Sequence, residues 1–177
     1  MSHPSPKTDR RYLEEVIRVD HAGEYGAKRI YQGQLAVLRG TKHEDTIRHM
    51  QEQEQEHLDT FSRLIAERRV RPTALLPIWH VAGFALGAAT AAMGARAAMA
   101  CTVAVEEAID EHYQAQERTL GEDEAPLKAD IARFRAEELE HRDIGLANEA
   151  ELTPGYRLLS AAIKMGCKVA IRISEKV

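Results

Sequence analysis

One pattern, written twice, constrains this chain more than any other feature: a lone Glu followed about thirty residues later by a Glu-x-x-His. Glu24 precedes Glu54 and His57, and Glu106 precedes Glu138 and His141. Residues three apart on a helix share a face, so each Glu-x-x-His presents a carboxylate and an imidazole to one point. Four carboxylates and two imidazoles converging inside a four-helix bundle are the ligand set of a di-iron or di-manganese carboxylate site. Hard oxygen donors mixed with neutral imidazole suit iron or manganese better than structural zinc, which favours thiolates and a closed tetrahedron.

A single Glu-x-x-His is weak evidence, since Glu-rich helices carry such pairs on solvated faces. Here the surroundings repeat as well. Glu24 is followed by Tyr31, Gln32, Gly33 and Gln34, and Glu106 at the same offsets by Tyr113, Gln114, Ala115 and Gln116. The two pairs share a longer E-x-E-H-x-D, ending at Asp59 and Asp143, and the spacing from lone Glu to Glu-x-x-His is 30 residues in one half and 32 in the other. Solvated pairs have no reason to repeat in register. A duplicated helical hairpin explains the whole set.

The 177 residues suit a single domain with a sizeable core. Helix formers dominate and Gly and Pro are sparse, which predicts an all-α fold. Cys101 and Cys167 sit in apolar stretches and form no C-x-x-C, so a disulfide framework is not expected and both read as small buried side chains. A net charge of −4 and the lack of a basic patch with aromatics argue against a nucleic-acid binder. The N-terminus has no apolar core for secretion and is too short for a convincing transit peptide.

Thr8 or Asp9 is positioned to cap a first helix ending near Leu38, with Gly40 as its stop. A second helix is expected over about 43–69, its apolar row of Ile47, Met50, Leu58, Phe61 and Leu64 interrupted by Glu54 and His57. Residues 73–95 contain no Asp, Glu, Lys or Arg and are long enough to span a bilayer, yet their Ala and Gly content with Pro77 and His80 favours a linker helix over 73–93. Third and fourth core helices follow over about 94–119 and 123–149, with Pro126 in a first turn. A last helix over 155–174 carries Lys164, Lys168, Arg172 and Lys176 beside an apolar row of Leu159, Ile163, Gly166, Val169, Ala170 and Ile173. Such a basic amphipathic helix suits an anionic membrane surface. The expected organisation is one domain over 1–177, with hairpins at 9–69 and 94–149.

These stretches resemble the demethoxyubiquinone hydroxylases of coenzyme Q biosynthesis. The resemblance lies in RVDHAGEYGAKRIYQGQ (18–34), EQEHLDTF (54–61), ACTVAVEEAIDEHYQAQ (100–116), EELEHRDIG (137–145) and IKMGCKVAIRISEKV (163–177), covering nearly the whole chain. It implies a ferritin-like four-helix bundle with two iron ions, held by Glu24, Glu54, His57, Glu106, Glu138 and His141, with Glu54 and Glu138 bridging. It implies O2 as co-substrate, an external reductant, and hydroxylation of the ring of a polyprenyl methoxy-benzoquinone or its quinol. His112 and Tyr113 correspond to family residues near the metal site. It further implies peripheral attachment to the cytoplasmic face of a bacterial inner membrane, and partner proteins of the same pathway. Metal-bound imidazoles usually donate their second N–H, and Asp20, Asp59, Asp110 and Asp143 are the candidate acceptors. No strand–glycine loop–helix signature for a dinucleotide is present, so electrons must come from a partner, a diffusible carrier or the quinol itself. Two other readings use the same scaffold: a membrane-associated di-iron quinol oxidase that leaves the ring unchanged, and a ferritin-like iron-storage protein.

Overall fold

The computed structural model describes residues 7–177. Six α-helices account for nearly all of that stretch: α1 Arg10–Leu38, α2 Glu44–Arg68, α3 Leu76–Ala92, α4 Ala95–Thr119, α5 Ala125–Ala147 and α6 Tyr156–Ser174. Each expected helix is present, within a few residues of its expected ends. The Asp9 side chain accepts from the amides of Arg11 and Tyr12 and so caps α1. Thr8, the alternative cap, instead bonds Asp123 and accepts from the Gly121 amide, tying the start of α1 to the turn before α5. Gly40 takes a left-handed φ of 77° just past the end of α1. A 3-10 turn at Glu122–Glu124 takes up the residues expected to open the fourth core helix, so α5 begins at Ala125 with Pro126 in its first turn.

Helices α1 and α2 form one antiparallel hairpin and α4 and α5 the other, packed as a four-helix bundle. Two clusters of apolar side chains plug the bundle, and a third, with Ile30, Cys101, Val105 and Ile163, joins α1, α4 and α6. One plug gathers Leu35, Leu38, Ile47, Met50, Met99 and Val103, and the other Ile17, Phe61, Leu64, Leu127, Ile131 and Phe134. The candidate ligands lie between the plugs, at the level where α2 and α5 face each other.

The charge-free segment forms α3, which lies along α1. Small residues set that approach: a Cβ at Gly83 would stand 2.8 Å from the Gly26 carbonyl oxygen, and one at Gly87 would overlap the Ile30 carbonyl outright. Among the described residues no helix is long and apolar enough to cross a membrane.

Helix α6 packs on α4, and here the structure corrects the reading of its faces. Lys164 is ion-paired with Glu107, and Lys168 with Glu111 at 2.7 Å, so half of the expected lipid-facing basic row is engaged by the bundle. Ile163 and Ser160 face inward, whereas Leu158 (78% exposed), Met165 (65%), Val169 and Ile173 face outward. Of the expected apolar row, Leu159, Ile163, Gly166 and Ala170 line a cavity against α1, α3 and α4, while Val169 and Ile173 lie on the free face.

The close approach of α1 and α3 predicts opposite outcomes for two glycines. Gly87→Ala should lower the thermal midpoint by several degrees, in line with an overpacking cost of about 1–3 kcal/mol. Gly166→Ala on α6, where a new Cβ meets nothing within 4 Å, should leave it unchanged or raise it slightly. Thermal unfolding followed by circular dichroism distinguishes the two.

Candidate metal centre

Helix periodicity brings all six candidate residues to one level. Glu24 comes from α1, Glu54 and His57 from α2, Glu106 from α4, and Glu138 and His141 from α5. All are buried, and Glu54, His57, Glu138 and His141 have no exposed surface. They form two groups of four, Glu24–Glu54–His57–Glu138 and Glu54–Glu106–Glu138–His141, each with ligand atoms within 4.8 Å of one another. Glu54 and Glu138 belong to both groups, the position a bridging carboxylate must occupy.

The polar atoms that point into this space lack hydrogen-bond partners. They include one oxygen each of Glu24 and Glu106, both oxygens of Glu54 and Glu138, and Nδ1 of His57 and His141. Buried polar atoms are ordinarily satisfied, so eight orphans around one point indicate a missing partner common to all. Two divalent cations fit: they bring four positive charges to four carboxylates and accept lone pairs from every orphan.

Without a cation, protons carry the balance. Burial, reinforced by Glu138 and Glu24, pushes Glu54 well above the usual carboxylate range, and burial with Glu138 and Glu54 does the same to Glu106. Burial opposes charge on the histidines too. Even so, the facing carboxylates of Glu24 and Glu138 push His57 up to about 12, and Glu138 and Glu106 raise His141. Glu138 moves the other way: against its burial, the close approach of both imidazoles, favouring its charged form, holds it below the usual range.

A second layer of contacts crosses between the hairpins. The Tyr31 hydroxyl donates to Glu106 at 2.5 Å, and the Tyr113 hydroxyl donates to Glu24. Burial, with Glu106 beside Tyr31 and Glu24 beside Tyr113, keeps both phenols neutral well above their ordinary range, so they remain donors. Gln34 reaches Thr102 at 3.4 Å and Gln116 reaches Asp20 at 2.7 Å; Thr102 and Asp20 each stand four residues before the lone Glu of their half. The repeat in sequence is thus an approximate two-fold in space.

The histidines do not use the expected aspartates. His57 Nε2 pairs with Glu137 at 2.5 Å and His141 Nε2 with Gln53 at 2.8 Å. Asp59 accepts from Gln55, Asp110 pairs with Arg135, Asp143 with Arg142, and Asp20 with Gln116 and His112. Asp59 and Asp143, the shared Asp at the end of E-x-E-H-x-D, each bond a neighbour on their own helix instead. The true partners also share a place in the repeat, one residue before the Glu of each Glu-x-x-His. That register was the available signal, hidden because one half carries Gln and the other Glu.

Tyr113 therefore touches the cluster directly. His112 stands one step away, its Nε2 3.2 Å from Asp20 Oδ1, with its side chain 18% exposed. Asp20 raises the His112 pKa against the effect of burial. Beside the cluster, an apolar cavity of about 560 Å³ lies between α1, α3, α4 and α6. Its walls include Gly23 and Val105, the chain neighbours of Glu24 and Glu106, together with Leu86, Ile109, Ile163 and Cys167.

A four-helix bundle with a buried cluster of four carboxylates and two imidazoles, repeated across two hairpins, defines the ferritin-like carboxylate class. Within that class the chain matches the family described as Ubiquinone biosynthesis protein COQ7 over residues 11–174. It is 59% identical over 175 residues to the 3-demethoxyubiquinol 3-hydroxylase of Rhodospirillum rubrum, covering 98% of this chain and 81% of that protein. The human protein named NADPH-dependent 3-demethoxyubiquinone 3-hydroxylase, mitochondrial, is 54% identical over 173 residues, covering 95% of this chain and 79% of the relative. The yeast 5-demethoxyubiquinone hydroxylase, mitochondrial, is 40% identical over 183 residues, covering 94% and 78%. This chain belongs to the COQ7 family.

The proton balance sets a pH dependence for the metal-free chain. As pH rises above the ordinary histidine value, folded His57, raised to about 12, keeps a proton that the unfolded state releases, and the upward shifts of Glu54, Glu106 and His141 act in the same direction. Stability should therefore fall as pH rises above that value. Glu138, shifted down, is ionised in both states there and does not oppose the trend. Denaturant midpoints in the presence of a chelator should be lower at pH 8.5 than at pH 6.5, and Fe(II) should flatten the slope.

Proposed function

We propose that this protein is an O2-dependent di-iron monooxygenase that hydroxylates the ring of a demethoxyubiquinone-type quinol in ubiquinone biosynthesis. The observation that carries the reading is the placement of two four-residue groups, sharing Glu54 and Glu138, beside an apolar cavity of about 560 Å³. Relatives at 59% and 54% identity are named for this hydroxylation, one on the quinol and one on the quinone.

In this reading Glu24, Glu54, His57, Glu106, Glu138 and His141 would hold two irons, with Glu54 and Glu138 common to both groups of ligands. When bound, the iron pair supplies O2 activation and the electrons that reach it from outside. The rest of the work belongs to the chain. The two apolar plugs exclude water from above and below the cluster, which strengthens every electrostatic contact inside it. Tyr31 and Tyr113 hold the terminal carboxylates Glu106 and Glu24 in place and can each lend a proton at the phenolic oxygen. His112 and Asp20 form a hydrogen-bonded pair reaching from Glu24's helix toward solvent, a route for protons at His112 Nε2 and Asp20 Oδ1. The cavity takes the apolar part of the substrate, with Gly23 and Gly26 leaving room along α1.

Among the described residues no strand occurs, and with it no strand–glycine loop–helix for a dinucleotide. Reducing equivalents therefore arrive from an external donor; NADPH is the one named for the human relative. Attachment to the quinone-bearing membrane is peripheral, through the free apolar side chains Leu158, Met165, Val169 and Ile173 of α6 and Ile78 and Val81 of α3. In this reading the place of work is the cytoplasmic face of a bacterial inner membrane, met from the surface, since no described helix is long and apolar enough to cross it.

Purified protein given reductant, demethoxyquinone and isotopically heavy O2 should yield a hydroxylated quinone with one heavy oxygen. Rapid O2 consumption with an unaltered ring would overturn the hydroxylase in favour of a quinol oxidase. Glu54→Ala should form no product and retain less than one iron per chain; full iron occupancy in that variant removes Glu54 from the ligand set.

Membrane attachment has its own test. Met165→Glu with Val169→Glu removes two exposed apolar side chains, each worth about 1.5–3 kcal/mol when fully buried. Co-sedimentation with anionic vesicles should weaken at least tenfold while helicity is kept. Unchanged binding would rule out the outer face of α6 as the contact.

A further inference from the structure

The two halves of the centre match in nearly every respect. Each has a lone Glu held by a Tyr from the other hairpin, and each has an imidazole whose Nδ1 faces the shared carboxylates. His57 Nδ1 lies 3.1 Å from Glu138 Oε1, and His141 Nδ1 lies 3.2 Å from Glu138 Oε2. A metal on Nδ1 leaves the proton on Nε2, so both rings must donate outward from that atom. Here the match ends. His57 Nε2–H meets the Glu137 carboxylate at 2.5 Å, whereas His141 Nε2–H meets the neutral Gln53 amide oxygen at 2.8 Å.

Glu137 is also held in place, as a buttress must be. Arg133 lies 3.3 Å from its other carboxylate oxygen, and the same guanidinium sits over the Phe134 ring, 4.3 Å from its centroid. Phe134 in turn packs against the His57 ring with centroids 4.1 Å apart. Arg133, Phe134, Glu137 and His57 thus form one packed unit. On the other half Tyr31 meets the His141 ring edge-on, and Gln53 contributes only its amide oxygen.

A carboxylate draws the imidazole proton toward itself and leaves more electron density on the opposite nitrogen; a neutral amide does so much less. From this difference we infer that Glu137 makes the His57 half the tighter of two unequal iron positions, filled first and favouring the ferric state. Glu137 is a positioning and charge-donating residue that acts through His57. The inference rests on the di-iron reading given above, and it assigns the two irons different roles although the ligand set is the same on both sides.

The experiment is stepwise anaerobic addition of Fe(II) to metal-free protein, with Mössbauer spectra at one and two equivalents. Wild-type protein should bind in two distinguishable steps, and the first equivalent should give a single dominant signal. Glu137→Gln should weaken the first step about 10–100-fold, the usual cost of losing such a partner, so that the two irons fill together. Gln53→Glu, which places a carboxylate behind His141, should tighten the second step. The double variant Glu137→Gln with Gln53→Glu should restore two steps with the first iron in the other spectral environment. Restoration by a transplanted charge cannot come from mere repair of packing. Two indistinguishable steps in wild-type protein, or a first-step affinity in Glu137→Gln within twofold of wild type, overturn the inference while leaving the di-iron reading intact. Failure of wild-type protein to bind iron at all overturns that reading, and the inference with it.

Discussion

Four carboxylates in a dry interior are the constraint on which the rest of this molecule depends. Like charges a few ångströms apart in low dielectric repel strongly, so the cluster exists only with compensating positive charge, supplied by protons on histidine and glutamate or by two divalent cations. Meeting that demand requires four helices to present side chains at one height. The apolar plugs of Met50 and Met99 on one side and Phe61 and Phe134 on the other lock the helices in that register. Stability contributed by the core is thus spent in part on holding an arrangement that the ligand atoms alone would disfavour.

Hydrogen bonds between the hairpins do for the site what the plugs do for the bundle. Four of the six candidate ligands are held by a hydrogen bond from the other hairpin. Glu24 on α1 is held from α4, Glu106 on α4 from α1, His57 on α2 from α5 and His141 on α5 from α2. Sliding one hairpin past the other by a single turn would break all four at once. Close glycine contacts between α1 and α3 add a further restraint, because α3 then connects the hairpins as a fixed strut.

Much of this was legible in the chain before any coordinates. Helical periodicity at 3.6 residues per turn and a repeat in register are local signals, and they located the six helices, the candidate ligands and the bundle level they share. The partners of His57 and His141 are a different kind of fact. Glu137 and Gln53 are distant from their histidines in sequence, and a pairing across hairpins follows from the dyad, which only the packed bundle defines. The ion pairs of α6 escaped for a similar reason. Its lysines read as a free basic stripe on an isolated helix, and only the packed bundle sets Glu107 and Glu111 of α4 beside Lys164 and Lys168. Residue spacing reports what a helix can do; the neighbour decides which face does it.

The crossed pairing also says something about ancestry. A two-fold homodimer of one helical hairpin could present the same six ligands and the crossed tyrosine contacts, since each hairpin completes the other. Strict symmetry, though, obliges such a dimer to offer the same side chain to both imidazoles. Joining the hairpins through α3 into one polypeptide releases that obligation, because each copy can then change by itself. Glu137 and Gln53 occupy equivalent places and are no longer the same residue. The linker helix is in this sense the part that permits asymmetry: by making two genes' worth of hairpin into one chain, it lets two metal positions built from the same design diverge.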